Sequence, residues 1–249
     1  KVTFEAGMIQ LGGSSIFLED KLGVRESVPD IARNLDRWLD GIMARVFEHN
    51  TLILLADYAQ VPVINGVSDL EHPCQALADF LTIKEQKDIK DWNFKGINLA
   101  YVGDGNNVAN SWINAAVKLP FVLNLACPAN YDPDHSIFQR AQSDAPKGIT
   151  LYRDPREAVE DADVVYTDVW ASMGQEDERE ERCRIFNIYQ VNRELLRYAK
   201  KNVIVMHCLP AHRGEEITGD VIDGPESVVW DQAENRLHVQ KAIMEILMS

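Results

Sequence analysis

Cysteine is scarce in this chain and positive charge is outnumbered. The four cysteines, Cys74, Cys127, Cys183 and Cys208, stand far apart with no CxxC pair. That spacing argues against a structural zinc site or a redox dithiol, and reduced thiols in a cytosol-like compartment are expected. Lys and Arg number 25 against 39 Asp and Glu, a formal net charge of -14. General nucleic-acid binding, which needs basic surface to displace phosphate counterions, is therefore not expected, and any anionic ligand must be met by local positive groups. No apolar run approaches the roughly 20 residues that span a bilayer, so no membrane partner is expected. Internal repeats and low-complexity segments are not evident. The opening residues, Lys1-Val2-Thr3-Phe4-Glu5, have no secretory-signal pattern and start inside a helix-like period, so the chain is expected to be truncated at its N-terminus.

What is present is enough apolar material for a large core: 249 residues, 46% of them hydrophobic. Short β-branched runs alternate with helix-length amphipathic runs, the pattern of an α/β protein whose parallel sheets are flanked by helices. In the first part this predicts helices over 3–11, 29–39, 51–58 and 73–86 and strands over 15–18, 41–46 and 61–65. A polar stretch over 87–95 follows, and alternation then restarts. Strands are predicted over 97–102, 121–126, 149–152, 163–169 and 203–207, with helices over 108–119, 135–144, 155–160 and 189–198. A last helix over 237–248 has no strand after it and is expected to pack back on the first domain. Domains are placed at 1–88, 89–225 and, for the returning segment, 226–249. The acidic run 176–181 reads as a solvated loop.

In open parallel α/β sheets ligands bind beyond the carboxyl ends of the strands. Arg45, Asn106-Asn107, Asp168 and His207-Cys208 all end or follow predicted strands, and His72 precedes a helix. The run Gly103-Asp104-Gly105-Asn106-Asn107 lies between strand and helix, where glycines admit a ligand to backbone N–H groups. A dinucleotide site would also want an acidic residue ending the next strand, which here reads Ala126-Cys127-Pro128. No nicotinamide, other cofactor or metal is expected. His72-Pro73-Cys74-Gln75 puts a histidine and a glutamine at a helix's positive end, suited to an anion or a carbonyl, or simply to capping. Asp168, followed by Ser172-Met173-Gly174, suits an ammonium-bearing ligand under a closing loop, or caps that loop. In His207-Cys208-Leu209-Pro210 the cysteine is a reactive thiolate if positive neighbours lower its pKa, and otherwise inert core.

Taken in order, His72-Pro73-Cys74-Gln75, Asp168 to Gly174, and His207-Cys208-Leu209-Pro210 resemble the carbamoyltransferases, and among them those that act on ornithine. The resemblance covers essentially the whole chain. It implies transfer of a carbamoyl group from carbamoyl phosphate to the side-chain amine of ornithine, giving citrulline and phosphate. It also implies roles: Arg45, His72, Gln75 and Arg236 for carbamoyl phosphate; Asn107, Asp168, Ser172 and Met173 for ornithine; Cys208 and Leu209 where the two meet. Arg45, His72 and Cys208 would act in the chemistry. A homotrimer in the cytoplasm follows by the same resemblance, with residues 21–27 reaching a neighbouring subunit. In one respect the chain departs from the family: a Ser-x-Arg-Thr-Arg-type segment that grips phosphate would stand just before Lys1. A catalytically silent binding homologue and a carbamoyltransferase for another amine are the competing expectations.

Overall fold

In the computed structural model residues 1–19, 21–171 and 176–249 are described. The first part holds α1 (Val2–Gln10), α2 (Val28–Leu35), β1 (Ile42–Arg45), α3 (His49–Tyr58), β2 (Val63–Val67) and α4 (Pro73–Gln86). Then come β3 (Asn98–Val102), α5 (Asn107–Lys118), β4 (Val122–Ala126), α6 (His135–Asp144), β5 (Ile149–Tyr152), α7 (Pro155–Val159) and β6 (Val164–Thr167). The chain ends with α8 (Arg179–Phe186), β7 (Ile204–His207), the single turn α9 (Gly219–Ile222) and α10 (Val229–Met248).

Local chemistry starts several of these helices. Ser27 accepts from the Asp30 amide to begin α2, the Asn106 side chain accepts from Val108 and Ala109 to begin α5, and Asp134 does the same for α6. Pro73 opens α4, where its missing N–H costs nothing.

β1 and β2 pair in parallel, and their register shifts between Ala44 and Arg45. The larger sheet is wholly parallel, in the order β5-β4-β3-β6-β7. Its central strands β3 and β6 are buried on both faces almost throughout, as helical crossovers require. One face is packed by α4 and α5 through an edge-to-face cluster in which the Phe80 ring centroid lies 4.9 Å from Trp112 and 5.3 Å from Phe121. The other is packed by α7, α9 and the start of α10 through Val159, Val221 and Val229. Phe4, Ile64, Cys74 and Met244 form a small core where α1, α4 and α10 meet, so α10 returns to the first domain as expected. Strand order reverses between β3 and β6, which makes their carboxyl ends the switch point of the sheet.

Four local expectations change. Residues 15–18 are not a strand: Ile16 and Leu18 are exposed, and no described strand supplies partners for their backbone. The segment 189–198 is not one helix but two 3-10 turns, Asn187–Tyr189 and Leu195–Tyr198, separated by a bridge from Val191 to Ile217. The Asn192 side chain accepts from the amides of Glu194 and Leu195 and restarts the turn there. The acidic run 176–181 is solvent-exposed over its described side chains but helical: a 3-10 turn, Glu176–Glu178, leads into α8, whose buried positions are Arg182 and Phe186. Finally, α10 begins at Val229, not at 237: the polar Gln232 and Asn235 in its buried stripe break the apolar period ahead of 237.

Candidate active site

Asp168 leaves the end of β6 at the switch point and is buried, with both carboxylate oxygens engaged. Asn106 Nδ2 donates to Oδ2 at 2.7 Å, and Cys208 Sγ donates to Oδ1 at 2.9 Å. The Asn106 amide cannot turn the other way, since its Oδ1 accepts from the Tyr101 hydroxyl at 3.0 Å and from the first amides of α5. The glycines before it serve packing. Gly103 has a φ of +140°, and a Cβ on Gly105 would fall 2.2 Å from the Pro133 nitrogen.

Cys208 follows β7. Burial first, and then the Asp168 charge and hydrogen bond, push its thiol far above the ordinary range. It is therefore a neutral donor to Asp168 and not the reactive thiolate that a positive surrounding would produce. Leu209 sits at a φ of +59°, a left-handed conformation that costs a leucine on the order of 1 kcal/mol. Its N–H donates to His207 Nδ1 at 2.9 Å, which leaves the proton on Nε2, and Nε2 donates to the buried Glu216 at 3.1 Å. The turn that presents Cys208 is thus held from within β7.

The facing wall comes from the first domain and α10. His72 caps α4, and its N–H donates to Ser111 Oγ at 2.7 Å. Burial, and then the charges of Arg236 and Arg45, bring the His72 pKa down to about 4, against the opposing pull of Asp168. The imidazole is neutral at physiological pH. Gln75, on the first turn, is buried. Arg45 ends β1, and Arg236 projects from α10. Arg236 and Arg45 both act on the buried His72, so these cationic groups face one region of an otherwise acidic protein. Three buried polar atoms here have no hydrogen-bond partner among the described residues: His72 Nδ1, Gln75 Oε1 and Arg236 Nε. Such atoms suit a polar ligand.

The sequence-derived residues Arg45, His72, Gln75, Asp168, Cys208, Leu209 and Arg236 thus lie around the junction of the two parts. Asn107 is turned elsewhere: its Nδ2 donates to the Ser68 carbonyl at 2.6 Å, tying α5 to the loop before α4. Asn110 does the same to Leu70. Ser172 and Met173 lie outside the described residues. Sequence reasoning passed over Asn106 as a partner of Asp168, and passed over Glu216, Asp79 and Gln232. The spacing of Gln75 and Asp79, and of Gln232 and Arg236, four residues apart on one helix face each, is the signal that was available. Ligand atoms of Asp168, His207 and Cys208, and of His212, Glu215 and Glu216, come within 4.8 Å of one another. In the first group they bond one another or neighbouring groups, and in the second Arg179 already pairs with Glu215.

The family model described as the aspartate/ornithine carbamoyltransferase carbamoyl-P binding domain matches residues 1–85, and the one described as the Asp/Orn binding domain matches 95–247. The chain belongs to this family. The carbamoyltransferase is 58% identical to the ornithine carbamoyltransferase of Syntrophus aciditrophicus, over 100% of this chain and 82% of that protein. It is 53% identical to the anabolic ornithine carbamoyltransferase of Pyrococcus furiosus, over 100% and 79%. A solved ornithine carbamoyltransferase from Pyrococcus furiosus superposes with a TM-score of 0.94 at 52% identity, covering 99% of this chain and 80% of that one. One from Campylobacter jejuni gives 0.92 at 37% identity, covering 99% and 82%. Arg45, His72 and Gln75 fall in the stretch matched by the carbamoyl-P model, and Asp168, Cys208 and Arg236 in that matched by the Asp/Orn model.

Proposed function

We infer that this carbamoyltransferase transfers the carbamoyl group of carbamoyl phosphate to the side-chain amine of ornithine, giving citrulline and phosphate. The observation that carries the choice of acceptor is Asp168: a buried carboxylate, bonded by Asn106 and Cys208, beside the cationic wall. A second carboxylate, as in aspartate, would be repelled there, whereas an ammonium or amine would be attracted.

The reaction joins the neutral amine nitrogen to the carbamoyl carbon and breaks the bond from that carbon to the phosphate oxygen. The proton lost from nitrogen leaves with the phosphate. Arg45 and neutral His72 are assigned to the carbonyl oxygen as donors already in place when its charge develops. Gln75 and Arg236 hold the rest of the donor substrate. Asp168, Ser172 and Met173 anchor ornithine, Asn107 stays in that set only through its side-chain oxygen, since its nitrogen is held by the Ser68 carbonyl, and Cys208 orients the distal amine toward the carbonyl, which makes the encounter local. Leu209 contributes at the meeting point of the two substrates.

The reading extends to context. Domains are placed at 1–88, 89–225 and 226–249: the gap between the stretches the two family models match, 1–85 and 95–247, supports the first boundary, and the packing of α10 on α1 and α4 supports treating the last segment apart. A homotrimer is the assembly the resemblance implies, and large apolar side chains exposed on the first part, among them Ile16, Phe17, Leu18 and Trp38, support a surface that is covered in the assembly. A cytoplasmic place is supported by four free cysteines, and a role in making arginine by the anabolic relative. The deciding experiment is citrulline formation from carbamoyl phosphate and ornithine by the full-length gene product, with putrescine, acetylornithine and aspartate as competing acceptors. Preferential use of ornithine is expected. A folded but inactive protein would move the reading to a silent homologue, and preference for another amine would move it to another acceptor.

A further inference from the structure

Beneath the site lies a carboxylate that the chemistry above does not use. Asp79 is fully buried on α4, one turn beyond Gln75. Its Oδ1 accepts from Gln75 Nε2 at 2.8 Å and from Gln232 Nε2 at 2.7 Å. Gln232, on α10, also accepts at Oε1 from the backbone N–H of His207 at 3.0 Å.

These bonds leave no freedom in the direction of either amide. An oxygen is required where Gln232 meets the His207 N–H, so its nitrogen must face Asp79. Asp79 Oδ1 is then an acceptor, with any carboxyl proton placed on Oδ2, which has no hydrogen-bond partner among the described residues, and Gln75 must also offer Oδ1 a nitrogen. The Gln75 oxygen is thereby turned away from Asp79, and it is buried with no hydrogen-bond partner among the described residues. A carbamoyl group presents two N–H donors beside its carbonyl, and an oriented acceptor is what distinguishes them from the oxygen. An amide free to flip would offer its own N–H groups to the carbamoyl amine half of the time, donor against donor.

We propose that Asp79 is a positioning residue for carbamoyl phosphate: it fixes the Gln75 amide with its oxygen toward the carbamoyl amino group and, through Gln232, ties that orientation to the strand end bearing Cys208. The proposal rests on the assignment of Gln75 to the donor substrate. Gln232 links α10 and β7, and Asp79 links both to α4, so the carbamoyl-binding helix is held in register with the Cys208 turn across the junction of the domains.

The test uses the full-length gene product and steady-state KM values for each substrate, with folding checked by circular dichroism. Asp79→Ala is expected to raise KM for carbamoyl phosphate about tenfold, the size of one misdirected hydrogen bond, with KM for ornithine at saturating carbamoyl phosphate changed less than threefold. Asp79→Asn keeps an oxygen for both glutamines and is expected to restore KM for carbamoyl phosphate to within about threefold. In a Gln75→Ala background, Asp79→Ala should add less than a twofold further effect. A normal KM in folded Asp79→Ala, equal defects in Asp79→Asn and Asp79→Ala, or full additivity with Gln75→Ala overturns the role of Asp79. An unchanged KM in Gln75→Ala alone instead removes the underlying assignment of Gln75. Should Asp79→Ala not fold, the wild-type protein decides by NMR. The side-chain amide protons of Gln75, identified by their loss in Gln75→Ala, should exchange slowly and stay protected when carbamoyl phosphate binds. Fast exchange, or loss of protection on binding, overturns the proposal.

Discussion

Cys208 carries a chemical expectation that its position alone would reverse. A cysteine beside arginines and a histidine invites reading as a thiolate, but burial and the Asp168 charge outweigh Arg236 and hold it protonated. Alkylation by iodoacetamide at pH 8 should therefore be much slower than that of free cysteine, and saturating substrates should slow it further. A rate like that of free cysteine would remove the neutral-donor role. Asp168→Asn keeps the shape and removes the charge. It should raise KM for ornithine by more than about tenfold, in the range of a lost charge-assisted hydrogen bond, with little change in KM for carbamoyl phosphate. Equal changes in both would mean that Asp168 supports the whole cleft. At this scale much was legible: residue types at strand ends pointed to Asp168 and Cys208, and those at a helix start to His72 and Gln75. Asn106 was not, because two adjacent asparagines at a helix start are indistinguishable until the backbone turns one toward Asp168 and the other toward Ser68.

Among the elements, α8 ties two turns at the carboxyl edge of the larger sheet together. Arg182 donates to Asp104 at 3.0 Å and to the Trp170 carbonyl at 2.8 Å, and its guanidinium lies 4.8 Å from the Tyr131 ring centroid. It joins the turn after β3 to the segment after Asp168. Burial raises the Asp104 carboxyl to about 6 even against the pull of Arg182, so loss of the arginine would leave an uncompensated buried acid. Arg182→Ala is expected to destabilise the protein by about 3–5 kcal/mol and to lower the urea midpoint accordingly. A change under about 1 kcal/mol would mean that water reaches Asp104. This helix was hidden in the sequence by its charge. A run of Glu and Arg reads as solvated surface, and only packing reveals that one arginine in it faces inward. The apolar run Ile16-Phe17-Leu18 misled in the opposite sense, since a strand exists only where a neighbour takes up its N–H and C=O groups.

For the whole molecule, the buried Asp79 predicts a pH dependence. Its carboxyl is pushed up to about 7 by burial from an ordinary value of 3.8. Between those values the folded protein holds a proton that the unfolded chain has released. Stability from this group is therefore full below about pH 4, falls as pH rises toward 7, and levels beyond it. Asp79→Asn removes the titration, so the variant-minus-wild-type difference in Tm should rise from pH 4 to 7 and then flatten. A difference that stays level would show Asp79 ionised in the fold as well.

The α/β class, the two parallel sheets and the returning last helix are determined by the sequence itself, because short continuous apolar runs for strands buried on both faces, and the 3.6-residue period of the helices between them, are written residue by residue. The same holds for the family, through short motifs whose backbone and side chains work within a few positions of one another. Only the tertiary structure decided which groups meet. Asp168 finds Asn106 and Cys208 across 62 and 40 residues, and Gln232 finds Asp79 across 153. Such bonds leave no period in the chain. They are set by strand order at the switch point and by α10 closing over α4, and they determine the protonation of Cys208 and the directions of the side-chain amides.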